Sequence, residues 1–206
     1  CMTDPRFEET LRTYEQYSKK FDEKFSAHFN RYIRPSAEYA LEWMPAGSRL
    51  LDLGAGTGNH AAFFQSHGID VLCTDVSPAM LERCKEKGLK TLCGDMETLE
   101  IPDASYDGVW AFASLLHLPK ERTPAMLAKI SRWLVPGGFF GLTLKEGDSE
   151  GFEEYENYPG RRRWFSYYLQ EEVERYCQPY FLPLRAGQGI DVSGKYRWLM
   201  NFWKRR

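Results

Sequence analysis

No stretch of this 206-residue chain is apolar for long enough to cross a bilayer, and nothing near its start reads as a leader, so no membrane partner is expected. The formal net charge is only −2. A groove for a long polyanion usually carries a basic excess, so nucleic acid is not the expected partner either. The 5 cysteines form no C-x-x-C pair, and none of the 4 histidines stands at zinc-finger spacing from them, so no metal is expected. An odd set of isolated thiols fits a reducing compartment, and the chain reads as a soluble cytoplasmic protein. Cys73 and Cys93 fall in apolar runs, where cysteine behaves as a small hydrophobe. Cys1, ahead of Met2, reads as an appended residue and is set aside.

What is present is an ordinary globular composition, 43% hydrophobic and 27% charged, with a high aromatic share of 15%. Tyr14, Tyr17, Phe21, Phe25, Phe29 and Tyr32 recur at helical spacing and predict a helix over 6–32 that ends before Pro35. A second short helix leads to Trp43. From residue 48 the pattern alternates. Apolar runs at 48–53, 70–74, 89–93, 106–113 and 139–145 read as strands, with helical stretches between them. Ser77-Pro78 and Thr123-Pro124 are helix starts. The alternation predicts an α/β fold, a doubly wound parallel sheet with helices on both faces. Residues 146–166 are polar and read as a long loop. A helix near Gln170–Cys177 and a terminal antiparallel hairpin (180–185 and 196–202) follow. The expected organisation is a helical cap over 1–47 and a main domain over 48–206, with 146–166 inserted above the site.

The most informative segment is Leu50-Leu51-Asp52-Leu53-Gly54-Ala55-Gly56-Thr57-Gly58-Asn59-His60, a strand entering a glycine turn and then a helix. Glycine lets the chain bend sharply and lets a ligand approach the backbone. In a dinucleotide fingerprint the third glycine would fall where Asn59 stands. A phosphate-binding P-loop is excluded, since no Gly-Lys-Ser/Thr follows. Asp75 ends the second strand, where a carboxylate can accept from two ribose hydroxyls or simply cap a helix. Asp95 ends the third strand, where it can accept from an exocyclic adenine amine, with the Met96 N–H on a ring nitrogen, or serve as a turn residue.

Taken in order, LLDLGAGTG, CTDVSPAM, CGDME, YDGVWAFASLLHLP and LVPGGFF resemble the class I SAM-dependent methyltransferases, over roughly residues 48–145. The resemblance implies a seven-stranded, mostly parallel Rossmann-like sheet with its last strand antiparallel, S-adenosylmethionine (SAM) as cofactor and S-adenosylhomocysteine (SAH) as product. It places Gly54, Ala55, Gly56 and Gly58 under the methionine part of SAM, with Asp52 holding that loop or meeting the amino group. Asp75 and Val76 fall at the ribose, Asp95 and Met96 at the adenine. Ala111 and Phe112 lie near the sulfonium, and Tyr17 or Tyr14 closes over from the first helix.

The family's other branches leave marks that are missing here. Trp110-Ala111-Phe112-Ala113-Ser114 replaces the Asn/Asp-Pro-Pro-Tyr tetrad of base-amine enzymes, and no Pro-Cys nucleophile follows. Neither a paired-glutamate loop nor the acidic triad of metal-dependent catechol enzymes is recognisable. The expected activity is therefore transfer of a methyl group to an O or N atom of a small molecule. A protein or RNA acceptor, and a non-catalytic SAM/SAH-binding domain, remain open alternatives, as does a monomer against a homodimer. His117, in Leu-Leu-His, is a candidate base or a loop-ordering residue. Arg161 and Arg163 are candidate clamps for a carboxylate or phosphate on the acceptor, or partners of nearby glutamates. Tyr14 is a candidate acceptor contact.

Overall fold

A computed structural model describes residues 4–191 and 197–206, the side chains of 186–191 excepted. Cys1 and Tyr196, the first residue of the last apolar run, lie outside the described residues. The chain opens with α1 (Pro5–Gln16) and α2 (Ser18–His28). Asp4 caps α1 by accepting from the Arg6 N–H. The single helix expected here is broken at Tyr17, whose φ of −116° leaves the helical region. Winding also continues past the expected stop. A π turn at Phe29–Ile33 leads into α3 (Arg34–Leu41), and Pro35 sits in its first turn, where a missing N–H costs little.

The alternating part follows as β1 (Arg49–Leu53), α4 (Asn59–Ser66), β2 (Asp70–Asp75), α5 (Pro78–Glu86), β3 (Lys90–Cys93), β4 (Tyr106–Phe112), α6 (Thr123–Trp133) and β5 (Leu134–Glu146). Then come β6 (Glu150–Glu154), β7 (Arg162–Tyr168), α7 (Gln170–Cys177), β8 (Phe181–Asp191) and β9 (Arg197–Arg205). Strands β3, β2, β1, β4 and β5 pair in parallel in that order. β9 runs antiparallel along β5, and β8 antiparallel along β9. Of the nine strands among the described residues, setting aside the two of the β6–β7 hairpin leaves the seven-stranded, mostly parallel Rossmann-like sheet with its last strand antiparallel.

Alternation along the strands sorts two cores. Leu51, Val109, Ala111, Phe140 and Leu142 face α6 and α7. Leu50, Val71, Cys73, Trp110, Phe112 and Phe139 face the opposite layer, which includes α3 and α4. A third cluster, Phe21, Met80 and Tyr158, joins α2, α5 and the inserted segment.

That insertion is a hairpin rather than the expected loop. Its polar residues pair across the ladder, Glu154 with Arg162 and Glu153 with Arg163, while Phe152 faces Trp164 with rings 5.4 Å apart. A sequence that looks uniformly polar is amphipathic once paired as strands. β7 also touches the end of β5 through Lys145↔Tyr167 and Glu146↔Tyr168. Lys145 thus stands where β5 passes from the main sheet to the hairpin.

Candidate active site

A cavity of about 610 Å³ opens at the carboxyl ends of β1, β2, β3 and β4. The glycine turn after β1 forms its floor. The Gly54 and Ala55 N–H groups both donate to the Thr74 carbonyl, each at 2.8 Å, so the turn is tied to the end of β2. Gly54 has φ +74°, and a Cβ there would stand 2.4 Å from Ser114 Cβ. A Cβ on Gly58, at φ +79°, would stand 2.7 Å from Leu89. Neither position admits a side chain. The roof comes from α1, α2 and the hairpin. Phe25 lies directly over Gly56, 3.7 Å from where a Cβ would be. Below it, Lys87 Nζ donates to Asp22 of α2 and to the Thr57 carbonyl, both at 2.9 Å, which fastens the cap helices to the floor.

Three acids line the floor. Asp75 Oδ2 accepts from the Gly56 N–H and Oδ1 from the Ser77 N–H, each at 2.9 Å. Burial raises its pKa, and those backbone donors oppose the rise. The helix-cap role weighed for Asp75 falls instead to Ser77, whose hydroxyl accepts from the Met80 N–H. Asp95 accepts from the Glu97 N–H at 2.9 Å, a turn interaction that leaves it on the cavity wall beside Met96. Asp52 is 3% exposed, and burial, with the Asp75 charge behind it, pushes its pKa up to about 8. Its Oδ2 has no hydrogen-bond partner among the described residues, and the same holds for the buried Ser114 hydroxyl.

The far wall is basic and aromatic. Arg163 Nη1 donates to the Tyr14 hydroxyl at 3.0 Å. Tyr14 is 2.8 Å from His117 Nε2, and His117 Nδ1 is 2.7 Å from the Trp164 carbonyl. A carbonyl can only accept, so Nδ1 carries the hydrogen and Nε2 receives the Tyr14 proton. Burial, with Arg163 and Lys145 nearby, lowers the His117 pKa to about 3, so the ring is neutral. Lys145, 3% exposed, reaches Glu153 at 3.3 Å and the Tyr155 hydroxyl at 3.1 Å. Burial lowers its pKa to about 8 against the pull of Glu153.

Gly54, Ala55, Gly56, Asp52, Asp75, Val76, Asp95, Met96, Phe112, Tyr14, His117 and Arg163 all border this one cavity. Other expected site residues fall elsewhere. Ala111 points to the α6 and α7 face, one strand position out of phase with the cavity; Ala113 and Ser114 take its place. Gly58 shapes the start of α4 behind the wall. Tyr17 packs on Tyr158, with ring centroids 5.1 Å apart, in the seam beside the cavity. Arg161 turns outward and donates to Gln16 at 2.6 Å. Sequence reasoning passed over Lys145, Lys24, Phe165 and His60, which also line the cavity. Only Lys145 had a visible signal, a lysine closing an apolar run. Among the described residues no cluster of three or more His, Cys, Asp or Glu side chains is placed to hold a metal, and no helix is long and apolar enough to cross a membrane.

Residues 50–138 match a family model described as a methyltransferase domain. The malonyl-[acyl-carrier protein] O-methyltransferase of Pectobacterium atrosepticum is 30% identical over 74% of this chain and 62% of its own length. A sarcosine/dimethylglycine N-methyltransferase of Aphanothece halophytica is 36% identical over 48% of this chain and 38% of its own. The chain thus spans less than two thirds of the length of either relative. Its fold matches the Burkholderia thailandensis 1,6-didemethyltoxoflavin-N1-methyltransferase, solved with 1,6-didemethyltoxoflavin and S-adenosylhomocysteine. That match covers 100% of this chain and 92% of the other at 18% identity, with a TM-score of 0.75. Strand order and matched sequence agree: residues 50–138 match a methyltransferase domain, and the chain is similar in fold to the Rossmann-like SAM-dependent methyltransferases.

Proposed function

We propose that this chain transfers a methyl group from SAM to an O or N atom of a small molecule. The observation that carries this is the roofed cavity, whose floor is the glycine turn and whose roof is formed by α1, α2 and the hairpin. A space of about 610 Å³ suits the cofactor and a small acceptor. A macromolecular acceptor would call for an open groove. The relatives named for small acceptors support the same reading.

The residues present fit SAM. The orphaned Asp52 Oδ2 and Ser114 hydroxyl await polar partners, and Gly54, where a Cβ would stand 2.4 Å from Ser114, keeps the turn bare beside them. Asp52 would take the ammonium group, Asp75 and Val76 the ribose, and Asp95 with Met96 the adenine. Each Asp75 oxygen keeps a lone pair for a hydroxyl after accepting its backbone N–H. When bound, SAM supplies an electrophilic methyl on a positively charged sulfur. The chain's own part is positioning, which can lower a barrier by roughly 7–11 kcal/mol. With Nδ1 held by Trp164 and Nε2 accepting from Tyr14, His117 fixes the Tyr14 oxygen at the cavity wall. A pKa of about 3 keeps the His117 ring neutral, so its part is to position Tyr14 rather than to hold a proton.

Calorimetric titration with SAM and SAH, with Asp75→Ala as control, tests the reading. Micromolar binding to the parent, lost in a variant that stays folded by circular dichroism, is the expected result. Release of SAH in the presence of candidate acceptors then identifies the substrate. No binding of either ligand to the parent would overturn the proposal.

A further inference from the structure

The charged side chains of the cavity are sorted by sign. Asp52, Asp75 and Asp95 all stand on the floor, at the ends of β1 and β2 and just after β3. Arg163, Lys145 and Lys24 all stand on the opposite wall and roof. The cation of least ordinary standing is Arg163. It is 6% exposed, and among the described residues no carboxylate lies within ion-pair distance of it. Its neighbours in the chain differ: Arg162 turns outward to Glu9, at 2.6 Å, and Arg161 to Gln16. Glu153 faces Arg163 across the ladder, but its carboxylate is taken by Lys145 and Tyr155. Arg163 donates to one neutral phenol, Tyr14, and its Nε has no partner among the described residues.

A buried guanidinium with unused donors is costly unless an anion completes it. Its placement is nonetheless held firmly. The guanidinium carbon lies 4.7 Å from the Tyr155 ring centroid, 5.0 Å from that of Phe165 and 5.3 Å from that of Tyr14. Phe165 is shared with Lys145, whose Nζ lies 3.6 Å from the same centroid. Two cations therefore flank one ring in a wall that Leu11, Leu116 and Leu118 also line.

From this we infer that the acceptor is a small apolar carboxylic acid, its carboxylate held by the free edge of Arg163 beside Lys145. Planar donors in a fork match a planar carboxylate, and the aromatic and leucine wall takes the apolar body. The anion also supplies the charge that Arg163 lacks in the chain itself. This rests on the methyl-transfer reading above and names the substrate class for it.

The test is titration of the SAH-saturated protein with benzoate, phenylacetate and cyclohexanecarboxylate, each beside its primary amide, and with phenyl phosphate. At least one acid should bind tenfold or more tightly than its amide. Arg163→Met should erase that preference while keeping the Kd for SAH within threefold, and Arg163→Lys should keep part of it. Four outcomes overturn the inference. The acids bind the parent no better than the amides; Arg163→Met keeps the preference; phenyl phosphate outcompetes every acid; or a folded Arg163→Met loses SAH affinity tenfold or more. The last result would place Arg163 on the cofactor's own carboxylate. A parent that binds SAH but no acid defeats this inference alone. A parent that binds acids but not SAH defeats the methyl-transfer reading.

Discussion

The floor and the roof of the cavity are built in different ways. On the floor, Asp75 reaches back only 19 residues to the Gly56 N–H, and the glycine turn is held by main-chain bonds to Thr74. On the roof, Tyr14 meets His117 across 103 residues and Arg163 across 149. The floor is a local motif, a turn with strand-end acids, and in the proposed reading it takes the cofactor. The roof is assembled from distant segments, and it is the part free to vary with the acceptor. Shared fold thus carries the cofactor site further than the substrate site.

The largest effect should come from breaking the floor. Gly54→Ala places a methyl 2.4 Å from Ser114 Cβ at φ +74°. Gly137 has nearly the same φ, +75°, with nothing within 4 Å of a Cβ. Gly137→Ala should cost only the left-handed strain, about 1–2 kcal/mol. Gly54→Ala should cost that plus overpacking of about 1–3 kcal/mol, and should abolish measurable SAM binding. Denaturant unfolding and calorimetry on the pair check this. Equal costs for the two variants would mean that the turn has slack and that the floor is not the rigid half.

His117 joins the halves, since it follows β4 yet its ring is held by the roof. His117→Ala should lower kcat by roughly tenfold or more while SAH affinity changes by less than about threefold. A kcat matching the parent's would leave His117 no part in positioning Tyr14. A parallel loss of SAH affinity would assign it to the floor instead.

The same contrast explains what could be read in advance. The alternating strands and the strand-end acids at 75 and 95 follow from short-range pattern, the antiparallel end of the sheet and the place of Asp52 from the family resemblance, and the structure brings the three acids to one cavity. The hairpin at β6 and β7 is not legible in the sequence, because Glu and Arg set around Phe152, Trp164 and Phe165 look polar until the strands pair. Arg161 and Arg163 are two residues apart and were expected to act together. Arg161 precedes β7 and leaves for Gln16, whereas Arg163, within the strand, points inward. Ala111 shows a related limit: the motif finds the end of β4, and only the strand's phase decides that Phe112 and not Ala111 reaches the cavity. Lys24 and Lys145 come from segments that no local motif marks.

The smallest effect is a fraction of a proton, and it sharpens the contrast most directly. Asp52 has its pKa raised to about 8 by burial and by Asp75. In the ligand-free chain it therefore holds a proton at neutral pH that the unfolded chain releases near its ordinary value of 3.8. The folded state binds more protons across that window, so this contribution to stability is complete at low pH and is lost as pH rises through about 8. An ammonium group placed against Asp52 favours the carboxylate and expels the proton. SAM affinity should then strengthen with pH up to about 8, by as much as about tenfold per unit. Calorimetry near neutral pH in buffers of different ionisation enthalpy should register release of up to one proton per ligand. Asp52→Asn should bind more weakly, with a flat profile and no buffer dependence. Arg163→Met should keep the parent's proton release, because the roof has no share in it. Release that survives in Asp52→Asn would move the ammonium away from Asp52, and release lost in Arg163→Met would show that the two halves titrate as one.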